Sequence, residues 1–192
     1  MPTEILLEWK GPHSLLTDDT REYFLPPEYP GVYLWCVGKQ DSFLISYVGR
    51  ASNLQKRMYE HIFWMLGGRY DLYGDDHFLE GAPPKSEYIP SFKNLLTDFV
   101  KDFSNRSSLA YRNLTLYTYF WATIRKDWRT QIAVESAIIE QSKKLNQPLQ
   151  NDRLSLRPEN SPHLLIRSHF ESNTFPGALS KSIYYGFGVE TT

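Results

Sequence analysis

The sequence predicts an α+β fold from three observations. Residues 31–37 and 43–48 are two short apolar runs, rich in aromatic and branched side chains, and the polar turn between them is typical of a β-hairpin. Residues 114–124 form a third run of the same kind. Apolar residues at helical spacing follow the hairpin and recur at 129–145, so we expect helices to pack on these strands.

The first strand of the hairpin is expected to have two different faces, because successive side chains of a strand point to opposite sides. The alternation places Val32, Leu34 and Cys36 on one face, and Tyr33, Trp35 and Val37 on the other.

The helix after the hairpin has recognisable ends. Ser52 or Asn53 can cap its N-terminus, and Gly67-Gly68 ends it. The residues expected to face the core are apolar and recur at helical spacing: Leu54, Met58, Ile62 and Met65.

We expect one domain with additions at both ends. Residues 1–30 are interpreted as an N-terminal lead-in, because Pro26-Pro27 and Pro30 interrupt regular structure just before the first strand. The domain itself is predicted to span residues 31–151.

Two further segments belong to this organisation. Residues 69–112 are predicted to be an insertion with a polar loop and a helix near 90–104. Residues 152–192 are predicted to be a C-terminal extension that packs on the domain, with a terminal strand near 182–189.

Composition limits the classes of function. The 192 residues carry 21 basic and 22 acidic side chains, and the net charge of −1 argues against a protein that coats nucleic acid. Cys36 is the only cysteine, so neither an intramolecular disulfide nor a cysteine-rich zinc site can form. No signal peptide or membrane-spanning run is evident, so we expect a protein of the reducing cytoplasm with no membrane partner.

Polar residues that suit phosphodiester chemistry occur in order along this apolar frame. Gly31-Val32-Tyr33 and Tyr47-Val48-Gly49 bring a phenol to each hairpin strand, and a phenol can donate, accept or shuttle a proton. Arg57 and His61 are neighbours on one helix face, where a planar cation suits a phosphate and an imidazole titrates near neutrality. Glu135, far downstream, is an oxygen ligand of the kind that Mg²⁺ prefers.

This order of residues resembles the GIY-YIG nuclease superfamily. Gly31-Val32-Tyr33 and Tyr47-Val48-Gly49 match its two signatures, with valine in place of isoleucine, and the helical arginine, the helical glutamate and then Asn151 follow in the same order. The match covers roughly residues 31–66 and 114–151. The resemblance implies a GIY-YIG fold, a small three-stranded antiparallel sheet flanked by helices, and it implies hydrolysis of DNA.

The resemblance also implies a role for each residue. Tyr33 would activate the attacking water, and Tyr47 would hold that water or share its proton. Arg57 would bind the scissile phosphate, and Asn151 would orient the phosphate or the substrate backbone. Glu135 would be the single protein ligand of Mg²⁺ or Mn²⁺.

Two more features refine the comparison. His61, one turn after Arg57, resembles an arginine-to-histidine spacing of the restriction and homing branch of the superfamily. Arg50 follows the second signature, where the family often has lysine, so a basic role in contacting nucleic acid is expected there. Arg69 is one of the basic residues of the insertion that are expected to contact a duplex.

Each of these residues also has an ordinary structural interpretation. Tyr33 and Tyr47 suit strands as aromatic residues, and Asn151 suits a turn. Glu140 competes with Glu135 for the metal. A loop with several acidic residues suggests either a second metal site or, as is usual for such loops, a solvated polar segment; its polar residues are Asp71, Asp75, Asp76 and His77.

The sequence therefore predicts a divalent-metal-dependent, restriction-like endonuclease that acts on double-stranded DNA. The alternatives are a structure-specific DNA repair nuclease and a non-catalytic nucleic-acid-binding module that retains the fold. The recognition site, the preference for DNA or RNA and the oligomeric state, a homodimer included, stay open.

Overall fold

The computed structural model describes residues 1–15, 25–39, 42–74, 78, 84–90, 97, 100–151, 153–171 and 175–186. The strands in this part of the chain are β1 (Thr3–Ser14), β2 (Gly31–Lys39), β3 (Ser42–Ala51), β4 (Leu72–Tyr73), β5 (Ser86–Tyr88), β6 (Tyr117–Thr123), β7 (Leu164–Phe170) and β8 (Ser182–Tyr185). The helices are α1 (Leu54–Leu66), α2 (Phe103–Leu116) and α3 (Trp128–Lys144), with a 3₁₀ turn at Pro158–Asn160.

One mixed sheet contains six of these strands, in the order β3-β2-β6-β1-β7-β8. The β1–β7 pair is parallel, and the other neighbours are antiparallel. The predicted small three-stranded antiparallel sheet is therefore wrong, because the three predicted strands form only the β3-β2-β6 half of the larger sheet. β4 and β5 pair in a separate two-stranded sheet.

The other half of the sheet comes from the two ends of the chain. β1 lies within residues 1–30, and its buried residues Ile5, Leu7 and Trp9 alternate with exposed or half-buried ones. The whole length of β7 pairs in parallel with residues 3–9 of β1. Parallel partners are joined by long connections rather than by a local turn, so no turn signal in the sequence indicates this pairing.

β8 lies at the start of the terminal strand predicted near 182–189. Residues 187–189 lie outside the described part of the chain. β8 pairs with β7 and ends the sheet on the side opposite to β3.

The sheet separates two hydrophobic cores. One core contains Val32 and Leu34 together with residues of α3 such as Val134. The other contains Tyr33 and Trp35 together with residues of α1 such as Leu54. The predicted alternation along β2 is confirmed, and α1 and α3 pack on opposite faces of the sheet.

The ends of α1 agree with the prediction. The side chain of Asn53 accepts a hydrogen bond of 2.8 Å from the backbone N–H of Lys56, so Asn53 is the cap. At the other end, the N–H of Gly67 donates to the carbonyl of Phe63 at 2.8 Å. No helix in the described part of the chain is long and apolar enough to span a membrane.

Within the predicted insertion, residues 97, 100, 101, 103 and 104 of the helix expected near 90–104 are helical. α2 begins at Phe103 and passes directly into β6 at Tyr117, so the third strand starts later than the predicted 114–124. Several predicted features lie outside the described residues: positions 91–96 and 98–99 of the helix near 90–104, and Asp75, Asp76 and His77 of the polar loop.

The two signature glycines are sites of close packing. A Cβ atom at Gly49 would overlap the ring and the hydroxyl of Tyr33, and one at Gly31 would overlap the carbonyl oxygen of Ala122 in the neighbouring strand. The ring of Tyr33 can approach the backbone of β3 this closely because Gly49 has no side chain.

We expect Gly49→Ala to lower the free energy of unfolding by about 1–3 kcal/mol, since extra atoms in a packed core force neighbours to shift. Gly38→Ala is the matched control in the same hairpin, because a Cβ there has nothing within 4 Å. Urea denaturation of both variants measures the difference. Equal stabilities for the two variants would contradict the close packing of Tyr33 on Gly49.

Candidate active site

The hydroxyl of Tyr33 is the centre of a buried hydrogen-bond network. It lies 2.6 Å from Nε2 of His61 and accepts a hydrogen bond from Nε of Arg57 at 3.3 Å. Tyr33 is 1% exposed and His61 4% exposed, so water competes little for these bonds. α1 supplies both partners because residues four apart lie on the same side of a helix.

Tyr70 extends the network on the far side of the imidazole. Its hydroxyl lies 2.7 Å from Nδ1 of His61. Either nitrogen of a neutral imidazole can carry the hydrogen, so the tautomer decides the direction of both bonds. In the tautomer protonated on Nδ1, Tyr33 donates to Nε2 of His61 and Nδ1–H donates to the oxygen of Tyr70. This is the tautomer in which His61 can take a proton from Tyr33.

Burial keeps the two phenols and the imidazole of the network neutral. Burial, and then the charge of Arg57, lower the pKa of His61 from 6.5 to about 3. Burial raises the pKa of Tyr33 well above its usual 10, and it raises that of Tyr70 to about 12. At neutral pH both phenols keep their protons, and the imidazole remains an acceptor.

Two cations lie on the ring of Trp64. The guanidinium carbons of Arg57 and Arg69 are 5.1 and 5.0 Å from the ring centroid, which is a cation–π arrangement. Arg57 also donates through Nη1 to Glu60 at 3.0 Å. A guanidinium has five N–H donors, so Arg57 can be fixed by Tyr33 and Glu60 and still donate to a phosphate.

A cavity of about 330 Å³ opens beside the network. We call it the aromatic cavity, and its lining includes Tyr47, Arg57, His61, Arg69 and Tyr70. Tyr47 stacks on Tyr33 with ring centroids 6.1 Å apart. The structure therefore brings together Tyr33, Tyr47, Arg57 and His61, with Tyr33 behind the other three.

Glu135 belongs to a second polar group. It is 6% exposed and forms an ion pair with Arg50, and Oγ of Ser155 donates to the same carboxylate oxygen at 3.3 Å. Burial raises the pKa of Glu135, and Arg50 and Ser155 oppose this effect. The guanidinium of Arg50 also lies over the ring of Trp128, 4.5 Å from its centroid.

The two polar groups start from opposite faces of β3. Gly49 pairs with Tyr33 across the hairpin, whereas Arg50 pairs with Val32, which belongs to the core under α3. Because successive residues of a strand face opposite sides, Arg50 leaves the strand on the side away from Tyr33. The expected site residues are thus divided between the two faces of the sheet, with Tyr33 on one face and Arg50 and Glu135 on the other.

A divalent cation does not fit the residues around Glu135 in this arrangement. Arg50 already balances the charge of this carboxylate, and a second cation there would be repelled by the guanidinium. The competing residue Glu140 pairs with Lys144 at 3.0 Å.

Asn151 lies at the open edge of β3. Its Oδ1 accepts a hydrogen bond of 3.1 Å from the backbone N–H of Val48, and its Nδ2 donates to the carbonyl of the same residue. Nearby, Oε1 of Gln147 accepts from the N–H of Ile45 at 2.9 Å. These amides take the place of a neighbouring strand and cover the edge of the sheet. The structure thus places Asn151 on the strand backbone.

Sequence reasoning missed two residues of this site. Trp64 lies seven positions after Arg57, and that spacing of two helical turns is a signal that could have placed both on one face. Tyr70 follows the end of α1 at Gly67-Gly68, and no spacing rule links it to His61.

We expect His61 to make stability depend on pH. Its pKa in the folded state is about 3, below the 6.5 of the unfolded chain, so only the unfolded chain takes up the proton between these values. The stabilisation is complete above about pH 6.5 and is lost as the pH falls towards 3, by up to about 1.4 kcal/mol per pH unit. Urea unfolding from pH 7 to pH 4.5 measures this slope, with His61→Gln as the control. Equal slopes for the two proteins would contradict a buried neutral His61.

Comparison with known proteins identifies no relative. No family model matches the chain, and no curated protein or solved structure is significantly similar to it. The resemblance to the GIY-YIG superfamily therefore rests on the identity and order of the residues themselves.

Proposed function

We propose that the protein is an endonuclease that hydrolyses phosphodiester bonds of double-stranded DNA. The observation that carries the proposal is the network of Tyr33, His61 and Arg57 at the wall of the aromatic cavity, with Tyr47 beside it. A fixed guanidinium next to phenols and a neutral imidazole can both bind a phosphate and move a proton.

Arg57 binds the scissile phosphate in this proposal. Tyr33 and Glu60 hold its side chain in place before substrate arrives, and a charge positioned in advance costs no reorganisation during the reaction. Arg69, on the same indole ring, is a second cation for a neighbouring phosphate. Such backbone contacts fix the position of DNA without reading its sequence.

The proton of the attacking water leaves through the hydrogen-bonded chain. Tyr47 orients the water at the cavity wall. Tyr33 lies behind this wall, so it takes the proton of the water when a movement of Tyr47 opens its hydroxyl to the cavity, and it passes its own proton to Nε2 of His61. Nδ1–H of the resulting imidazolium stays bonded to Tyr70. Burial is the main cause of the low pKa of His61, and a phosphate on Arg57 offsets only the smaller part that this cation contributes. The water oxygen bonds to phosphorus as the P–O bond to the leaving sugar oxygen breaks, and that oxygen takes a proton from solvent.

The finer assignments are part of the same proposal. The direct bond between His61 and Tyr33 supports a restriction-like enzyme, and a structure-specific repair nuclease is the alternative within the same chemistry. The buried thiol of Cys36 suits a reducing compartment, which supports the cytoplasm. Since a divalent cation does not fit around Glu135 as it is paired here, no step of this mechanism is assigned to a metal.

A non-catalytic nucleic-acid-binding module is the second candidate. The enclosure of Tyr33 and the ion pair between Arg50 and Glu135 favour it, because these groups are occupied within the protein. Arg57 and Arg69 would still bind phosphates in such a module.

We expect Arg57→Ala to lower the rate of plasmid nicking by about 10²-fold or more, since it removes the charge that stabilises the transition state. Arg125→Ala is the matched control, because Arg125 also lies on an aromatic ring, that of Tyr29, but is exposed and outside the site. Supercoiled plasmid is incubated with Mg²⁺, with Mn²⁺ and with EDTA. A wild-type protein that binds the plasmid and nicks it in none of these conditions would refute the nuclease and leave the binding module.

A further inference from the structure

The aromatic cavity has the size and the walls of a site for a planar ligand. Its volume of about 330 Å³ is at the lower end of the range for small-molecule sites, so it has room for one heteroaromatic group rather than a base pair. Trp35, Tyr47, Tyr70 and Tyr117 contribute aromatic rings to its wall. Rings of this kind stack on nucleobases of any sequence.

One polar group in the wall lacks a partner. Trp35 is 4% exposed and lines the cavity, and its indole N–H is buried without a hydrogen bond. A buried donor that stays unpaired is costly, and native structures rarely leave one unexplained. The indole nitrogen is covered by neighbouring protein atoms, so an acceptor on a ligand in the cavity, such as a ring nitrogen or a carbonyl oxygen, satisfies it once the wall shifts.

Other polar groups in the lining complement the edge of a nucleobase. The amide of Gln150 donates to the hydroxyl of Tyr117, and Oδ2 of Asp71 accepts from Oγ of Ser86 at 3.0 Å. A carboxylate and an amide in one cavity offer acceptors and donors together, as the edges of bases do.

Positive charge lies in the same wall. Arg57 and Arg69 both line the cavity and both lie on Trp64. Stacking surfaces, an unpaired donor and two guanidinium groups together suit a nucleobase that carries a phosphate.

We propose that the aromatic cavity binds an unpaired nucleobase of the DNA substrate, with the adjoining phosphate on Arg57. This inference rests on the proposed function and names the class of substrate. Taking a base out of a duplex costs a few kcal/mol, and the cost is smallest where the base is already unpaired. The protein therefore prefers duplexes with a bulged or mismatched base.

The experiment compares two labelled duplexes that are identical except for one additional unpaired adenosine. Binding is measured by fluorescence anisotropy in EDTA, so that cleavage does not interfere. We expect the wild-type protein to bind the bulged duplex at least about 10-fold more tightly, in line with the stacking of one base. Free dAMP, tested as a competitor, separates a nucleotide in solution from a base in a strand.

Two variants locate the effect. Ile89→Ala removes part of the lining at a residue that is 71% exposed, so the fold is expected to tolerate it, and Trp35→Phe removes the unpaired N–H and keeps an aromatic ring. Both should reduce the preference for the bulge while leaving affinity for the paired duplex unchanged. Tyr184→Ala, at an exposed tyrosine on β8, is the control and should keep the preference.

The outcomes separate the two proposals. Equal affinity for both duplexes, together with normal nicking of plasmid, overturns the base site and leaves the nuclease. A preference for the bulge that both variants reduce, without nicking under any condition, supports the base site and overturns the nuclease. A third outcome is that the protein binds dAMP, that Trp35→Phe weakens this binding, and that the bulged duplex is not preferred. This result overturns the proposal of a base within a DNA strand and indicates a site for a free nucleotide.

Discussion

The hydrogen bonds of one buried hydroxyl organise the whole candidate site. The phenol of Tyr33 lies against Gly49 with its oxygen between Arg57 and His61, so β2, β3 and α1 all meet at this group. Burial then sets the chemistry, because it keeps Tyr33 protonated and His61 neutral. A shift of β2, β3 or α1 would therefore move Arg57 and His61 relative to the hydroxyl of Tyr33.

The edge strand β3 explains how one short segment supplies so many polar groups. Its residues alternate between the two faces of the sheet, so Tyr47 lies at the aromatic cavity while Arg50 reaches Glu135 under α3. Its outer edge is covered by the amides of Gln147 and Asn151. The strand is thus held from three sides, which fixes the residues that face a substrate.

Local patterns in the sequence predicted the features that depend only on residues close together in the chain. The hairpin, the Asn53 cap of α1 and the pairing of Arg57 with His61 on one helix face all follow from spacing of a few residues. The remaining features depend on long-range contacts. β1 and β7 pair in parallel although most of the chain separates them in sequence. Glu135 pairs with Arg50 because of the position at which α3 packs on the sheet. No periodicity in a single sequence encodes either.

The rate of DNA cleavage by Tyr33→Phe tests the central claim most directly. Tyr119→Phe is the matched control, since Tyr119 stacks on Tyr33 at 5.8 Å, is equally buried, and has a hydroxyl without a hydrogen-bond partner in the described structure. If the Tyr33 hydroxyl moves the proton and fixes Arg57, Tyr33→Phe should cleave about 10²-fold more slowly or worse, while Tyr119→Phe cleaves at the wild-type rate. Wild-type rates for both variants would show that the buried network of Tyr33 serves the fold alone.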